Sequence, residues 1–344
     1  MDLTGRQLWQ VGAGDTERSY GDLCLKYDVM IVGPGRPGPY DEAAYASLGD
    51  IRNSIRRFCL DARRGDIVLL RLGTGCVLAV GEVADDQPTW SEAFADIDGW
   101  DLNHVRRVRW LPGTSHEFQV RTLGGQVRTF AAVGVPAVRD WVASLPTPSA
   151  QLQRELAALP DPGQPLRGSD LARQLFAEGL PRATVDRLLE TMASLDGVAS
   201  WYSNPDKRPE GRPSEHETVA YLVLPLLFSL GWSEQTAAVE WRNIDVALFR
   251  QMPANDGNLT AVVEAKLLGR SVFQPFGQAR DYALRDGRQD VGKLIVTDGI
   301  RYTVHHRKGS DFVLVAYLNI LDLRLTYPVY QCGGAVPALL EMAK

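Results

Sequence analysis

The chain has 344 residues, 45% of them hydrophobic and 23% charged, with a net charge of −5. That length holds two domains of ordinary size, or two with a small third piece, and the composition excludes disordered, collagen-like and disulfide-framed proteins. The mild acidity excludes a uniformly cationic DNA-coating protein but leaves room for a local basic groove.

Residues 1 to about 145 have mostly β character. Ile51, Ile55, Phe58 and Leu60 give Asp50 to Arg64 a helical spacing. Gly65-Asp66 marks a turn, Ile67 to Leu72 follows as a strand, and Gly73-Thr74-Gly75 folds it back onto Val77 to Val83. A second hairpin is expected from Glu117 to Thr122, through Gly124-Gly125, returning over Val127 to Ala131. Val135 to Leu145 reads as a short closing helix. Short strands, glycine turns and few helices predict a small β-barrel, with Trp9 and Trp110 in its core.

Pro146, Pro148, Pro160, Pro162 and Pro165 punctuate a linker around one short helical piece at Leu152, Leu156 and Leu159. Ser169 caps an expected helix from Asp170 to Glu178, and Pro181 opens another through Ser194. With Val198 to Tyr202 behind them, these make either a winged-helix-like connector or a plain helical spacer. From about 203 an apolar helix carries Val219, Leu222, Val223, Leu226 and Leu227 into Leu230-Gly231-Trp232. Strands are then expected at about 239–249 and 259–267, a helix at 275–285, and strands at 293–297, 301–306 and 312–318. That order describes an α/β core with a mixed sheet.

Cys24, Cys59, Cys76 and Cys332 show no paired spacing and read as reduced core residues. The start lacks a basic then apolar leader, and the longest apolar stretch, Val219 to Trp232, is too short for a bilayer. A cytoplasmic protein with no membrane partner is expected.

The sharpest chemical signal is Thr260-Ala261-Val262-Val263-Glu264-Ala265-Lys266. Glu264 and Lys266 interrupt an apolar strand two residues apart, so they leave the same face. Buried charges are rare unless paired or metal-bound, although Glu-x-Lys also occurs on ordinary edge strands. Asp245, between Ile244 and Val246, is a second acid inside an apolar strand. Asp245 and Glu264 on neighbouring strands would make a two-carboxylate site suited to Mg²⁺, with Lys266 beside it to position or help deprotonate a water. Glu217 at the start of the apolar helix and Gln278 on the next helix complete an ordered set.

Residues about 213–320 resemble a PD-(D/E)XK nuclease domain, in particular the N-terminal nuclease region of type I restriction motor subunits. The resemblance rests on Glu217-Thr218, Pro225-Leu226-Leu227 to Leu230-Gly231-Trp232, Asp245, Val263-Glu264-Ala265-Lys266, Gln278-Ala279 with Tyr282-Ala283, and Thr297-Asp298-Gly299. It implies phosphodiester hydrolysis with Mg²⁺, or Mn²⁺ as a substitute. Asp245 and Glu264 would be metal ligands, Lys266 the water-orienting base or electrostatic stabiliser, Glu217 an accessory acid, and Gln278 a contact to metal water or backbone. Asn243-Ile244-Asp245 departs from the family pattern in lacking a proline before the aspartate.

Residues 1–112 are similar to the PUA-like superfamily, which includes EVE and YTH modified-base readers. The similarity lies in Trp9 to Gly14, Val29 to Gly35, Gly65-Asp66-Ile67-Val68 and Val80-Gly81-Glu82-Val83. It implies a slot for an extruded base, with Tyr20, Tyr27, Trp90 and Trp100 as candidate walls and Asp22 or Asp28 accepting from an exocyclic amine. Each aromatic otherwise packs the barrel. Between Asp50 and Arg71, Arg52, Arg56, Arg57, Arg63, Arg64 and Arg71 outnumber Asp50, Asp61 and Asp66, and Arg106, Arg107 and Arg109 form a second cluster. These are either DNA-backbone contacts or solvated faces.

The expectation is therefore a multidomain chain: a PUA-like β-barrel over 1–147, a helical connector over 148–202, and an α/β PD-(D/E)XK nuclease with a mixed sheet over 203–344. Its expected activity is modification-dependent restriction of double-stranded DNA carrying a modified base, a modified cytosine, in antiphage defence, by a homodimer that cuts both strands. The alternatives are a nuclease on unmodified DNA or RNA, and a non-cleaving nucleic-acid-binding regulatory subunit. The sequence contains no Walker A motif, so no ATP is expected.

Overall fold

The computed structural model describes residues 1–344 apart from 16, 125–128, 147–153, 205, 207–211 and 286. The chain divides into two compact units, Met1–Pro162 and Gly163–Lys344, each built on a mixed eight-stranded sheet.

The first unit runs β1 (Leu8–Gly12), α1 (Gly21–Tyr27), β2 (Val29–Val32), α2 (Asp50–Arg56), β3 (Ile67–Leu72), β4 (Cys76–Val83), β5 (Thr89–Trp90), β6 (His104–Leu111), β7 (His116–Glu117), β8 (Phe130–Ala132) and α3 (Pro136–Ser144). Its strands lie in the order β2-β6-β4-β3-β1-β8, with β5 on β6 and β7 on β4, a half-barrel-like arrangement. Pairing of β1 with β3 is parallel and the rest antiparallel. Leu8, Leu69, Val80 and Leu111 pack there with Val138 and Val142 of α3, each contributing about 1.5–3 kcal/mol by leaving water. The helical spacing after Asp50 holds through a wide turn at Arg57–Asp61 that buries Phe58 and Cys59.

The expected second hairpin is not formed as such. His116–Glu117 pairs with β4, and Phe130–Ala132 pairs instead with β1. The segment between them is drawn onto the β3–β4 turn, where the N–H groups of Phe118 and Leu123 reach the carbonyls of Gly75 and Thr74. The expected turn at Gly124-Gly125 and the start of the return strand lie partly outside the described residues.

The second unit runs α4 (Gly168–Ala177), α5 (Arg182–Tyr202), α6 (Glu215–Thr218), α7 (Leu224–Ser229), β9 (Ala237–Trp241), β10 (Ile244–Phe249), β11 (Leu259–Ala265), α8 (Phe276–Ala283), β12 (Lys293–Thr297), β13 (Arg301–Lys308), β14 (Asp311–Asn319), β15 (Thr326–Tyr327), β16 (Cys332–Gly333) and α9 (Ala335–Met342). The sheet order is β15-β16-β14-β13-β12-β11-β10-β9, parallel at β11–β12 and β14–β16. Side chains of α4, α5, α7 and α9 fill one face of this sheet, and α8 covers the other.

Three expectations change here. Val185, Leu188, Met192, Leu195, Ala199 and Tyr202 repeat at spacings of three and four, so α5 is one helix of 21 residues and leaves no wing at 198–202. That stripe joins the core of the second unit, so these helices are not a free-standing connector. Leu156 and Leu159 lie in irregular chain, and Leu152 falls outside the described residues. Finally, the strand expected at 239–249 is two strands, β9 and β10, turned at Arg242 and Asn243 with φ of 51° and 67°. A two-residue turn with both φ positive matches the twist of a hairpin.

Candidate active site

β10 and β11 pair antiparallel through Val246 with Val263 and Ala247 with Val262. One step further along, Asp245 stands opposite Glu264. Alternation places both on the face of Ala247 and Val262, which packs under α8. Asp245 Oδ2 accepts the backbone N–H of Ala265 at 2.7 Å. Glu264 is fully buried: Oε1 accepts from Lys266 Nζ at 2.6 Å, while Oε2 has no hydrogen-bond partner among the described residues. Lys266 Nζ also donates to Glu215 Oε1 at 3.1 Å.

Three carboxylates thus crowd one ammonium. Burial pushes the Glu264 carboxyl up to about 7; the Lys266 hydrogen bond opposes this, and the charges of Asp245 and Glu215 add to it. Asp245 is also raised, first by burial, against the Ala265 N–H and Lys266. Burial works to lower Lys266, but Glu264 and Glu215 outweigh it and leave its ammonium above the ordinary value.

Neighbouring chain holds these groups in place. Lys266 N–H donates to Thr297 O at 2.8 Å, carrying the β11–β12 ladder past Ala265. Buried Asp298 accepts from the N–H groups of Gly269, Ile300 and Arg301 at 2.9, 3.1 and 2.7 Å, tying down the loop after Lys266. Gly299 has φ +89°, and a Cβ there would lie 2.6 Å from Leu222 Cβ and 3.1 Å from Thr218 Cγ2. Its missing side chain lets the helical segment that begins with Glu215 approach β12.

The donor set fits a divalent cation. A buried carboxylate oxygen without a partner costs about 1–3 kcal/mol, and a hard cation relieves it. Among the described residues, no three His, Cys, Asp or Glu side chains form a ready cage. Mg²⁺ is commonly held by one or two carboxylates, with waters and substrate phosphate completing its shell. Asp245 and Glu264 match that pattern.

The other expected site residues are placed differently. Glu217 closes a capping box: its N–H donates to Ser214 Oγ at 3.2 Å and its Oε2 accepts the Ser214 N–H at 2.7 Å. The acid beside Lys266 is Glu215, which the sequence reading passed over, although Ser214-x-x-Glu217 is itself a helix-start signature. Gln278 is exposed on α8 and donates to Tyr282 Oη at 3.2 Å. His216 Nδ1 lies 2.8 Å from Glu240 Oε1 on β9, another group missed.

In the first unit, Tyr20 is buried, donates to Gly12 O at 2.9 Å and meets the edge of Trp100 at 6.0 Å. The Arg18 guanidinium covers that Trp100 ring at 4.8 Å. Tyr27 is buried against Phe94. Trp90 is half-buried and donates to Gly35 O at 3.1 Å. Asp22 is exposed on the first turn of α1, whereas Asp28 is 1% exposed and paired with Arg154. Trp9 and Trp110 are buried and donate to Asp66 and Cys24 O.

Of the basic residues, Arg106 is corrected outright. It is fully buried, donating to Asp85 Oδ1 at 2.7 Å and Ala62 O at 2.7 Å, so no DNA backbone reaches it. Alternation along β6 sends Arg106 inward and leaves Arg107 and Arg109 half-buried. Arg56 pairs with Asp61 at 2.9 Å, and Arg52 and Arg57 are half-buried nearby.

Fold and site define a two-unit protein of mixed α/β sheets, with a buried acid–lysine cluster in the second unit. Residues 9–133 match the family model described as a domain of unknown function (DUF8426). No curated protein and no solved structure matches the chain. Among the described residues, no helix is long and apolar enough to cross a membrane.

Proposed function

We propose that the chain is a modification-dependent endonuclease: a PUA-like first unit senses a modified cytosine, and a PD-(D/E)XK second unit hydrolyses phosphodiester bonds with Mg²⁺. The observation that carries this reading is fully buried Glu264, with one oxygen on Lys266, the other without a partner among the described residues, and Asp245 opposite it. In this reading Asp245 and Glu264 hold the ion. A bound divalent cation supplies Lewis-acid activation of the phosphodiester and of the attacking water. Lys266, held by Glu264 and Glu215, presents its ammonium to the developing charge on phosphate and orients the water. One such site cuts one strand, so a double-strand break calls for a homodimer.

The test is cleavage of matched duplexes carrying cytosine, methylcytosine or hydroxymethylcytosine, with Mg²⁺. The proposal expects a modified duplex to be cut preferentially, and Glu264→Ala to abolish cutting. Cutting that survives in Glu264→Ala removes the nuclease assignment.

A second reading, a nuclease on unmodified DNA or RNA with the first unit as a general grip, draws on one observation. The Tyr20 hydroxyl and the Asp28 carboxylate, two expected pocket groups, are engaged within the unit. Equal cleavage of all three duplexes selects it.

A further inference from the structure

We propose that Arg107, Arg109 and Arg154 form a phosphate-binding notch on the first unit. Arg154 lies outside both arginine-rich stretches of the sequence. The notch is an open concavity of about 920 Å³ between β6 and the chain from Arg154 to Ala158. Arg107 and Arg109 leave the same face of β6, being two residues apart on a strand.

Arg154 is fixed from behind. Asp28, in a left-handed conformation at φ 53°, takes the Arg154 guanidinium with both carboxylate oxygens, Nη1 lying 2.6 Å from Oδ2. The same Oδ2 accepts the Ala157 N–H at 2.9 Å, so one buried carboxylate anchors both the arginine and the chain beside it. Arg107 donates to Ala157 O, and its Nε is buried with no hydrogen-bond partner among the described residues. Arg109 makes a long 3.4 Å contact from Nε to Arg154 O.

Among the described residues, three arginines therefore line the notch against one acid, Glu155, with Asp28 behind Arg154. An oxyanion with several acceptor oxygens answers the surplus positive charge of the three guanidinium groups. Guanidinium forks match phosphate in charge and geometry. The phosphate comes either from a nucleic-acid backbone or from a free nucleotide or pyrophosphate. The inference rests on the nucleic-acid half of the proposed function and not on its cleavage chemistry, so binding is read apart from cutting.

The experiment measures anisotropy of a labelled duplex with the full chain, without divalent ions, across a salt series. Wild type, Arg109→Gln, Arg154→Gln and the control Arg182→Gln, an exposed α4–α5 surface change, are compared, with thermal unfolding confirming that each is folded. If backbone phosphate sits in the notch, Arg109→Gln weakens binding about 3- to 10-fold, equally for modified and unmodified duplexes. It also lowers the slope of log affinity against log salt by about 1, while Arg182→Gln changes neither. If the source is free phosphate, pyrophosphate binding measured by calorimetry falls in Arg109→Gln and Arg154→Gln while duplex binding holds. The notch is overturned if both folded variants bind duplex and pyrophosphate like wild type, or if wild type binds neither. A chain that cuts DNA with unchanged binding in these variants loses the notch and keeps the nuclease. A chain that binds through the notch and cuts no duplex does the reverse.

Discussion

Lys266 Nζ sits 2.6 Å from Glu264 Oε1 and satisfies that oxygen alone, leaving Oε2 buried without a partner among the described residues. The pair is half-complete as a structural salt bridge and well disposed as one side of a cation site. Buried ion pairs are poor sources of net stability. Glu264→Ala and Lys266→Ala are accordingly expected to lower Mg²⁺-dependent cleavage by about 100-fold or more, with unfolding still cooperative. Rates within a few-fold of wild type, on any duplex that wild type cuts, would sink the assignment.

Mg²⁺ itself gives a second test that needs no substrate. An ion bound only by the folded chain raises its stability by about 1.4 kcal/mol at tenfold excess over the dissociation constant. Thermal unfolding with and without Mg²⁺ is expected to show a rise in wild type that Glu264→Gln lacks. An equal rise in both places the ion elsewhere.

The two acids flanking His216 divide their work. Glu217→Gln keeps the capping geometry, whereas Glu217→Ala loses the bond from the Ser214 N–H and keeps the one to Ser214 Oγ, costing about 0.5–1.5 kcal/mol. Neither is expected to change cleavage per folded molecule. Glu215→Ala, which strips Lys266 of a 3.1 Å partner, is expected to lower cleavage with little change in unfolding. The opposite pattern would restore Glu217 as the accessory acid.

Gly299→Ala tests the approach of the helical segment. The added Cβ would meet Leu222 Cβ at 2.6 Å in a backbone conformation at φ +89°. A loss of about 1–3 kcal/mol in denaturant unfolding is expected, together with reduced cleavage because Glu215 moves with Leu222. Unchanged stability would show that the contact gives way freely.

His104 makes the first unit acid-sensitive. It is buried, with Nε2 2.7 Å from Tyr45 Oη and Nδ1 3.8 Å from Cys59 Sγ. Burial lowers its imidazole to about 4, against the pull of Asp101. The unfolded chain, titrating near 6.5, then binds the proton more readily. Its stabilisation is therefore complete above about 6.5 and is lost as pH falls through 4, by at most about 3 kcal/mol. Denaturant unfolding of His104→Gln at pH 7.5 and 4.5 is expected to show a smaller acid loss than wild type. An equal loss would assign the sensitivity to other groups, such as buried His305, also lowered to about 4.

Periodicity made much of this architecture legible in advance. Alternation located the β3–β4 hairpin, and a broken apolar run singled out Glu264 and Lys266. The choice between Glu215 and Glu217 depended on where α6 begins, which a serine two residues upstream of His216 decides. Burial of Tyr20 and Tyr27 depended on partners such as Trp100 and Phe94, far along the chain. Arg106 and Arg107 are adjacent and chemically identical; only the phase of β6 separates an internal strut from a surface cation. The β9–β10 turn carries no glycine, and Asn243 alone is a weak signal for its positive φ.

That turn has a further consequence. Arg242 and Asn243 fix which residue of β9 stands against each residue of β10, Trp241 against Ile244 and Val239 against Val246. Asp245 faces Glu264 through the other edge of the same strand, where Val246 pairs with Val263. One residue inserted at the turn would slip β9, the edge strand, against β10 and turn its side chains to the opposite face, or be absorbed as a bulge. Asp245 would keep its place opposite Glu264 in either case. The candidate metal ligand is thus insulated from length changes in that surface turn.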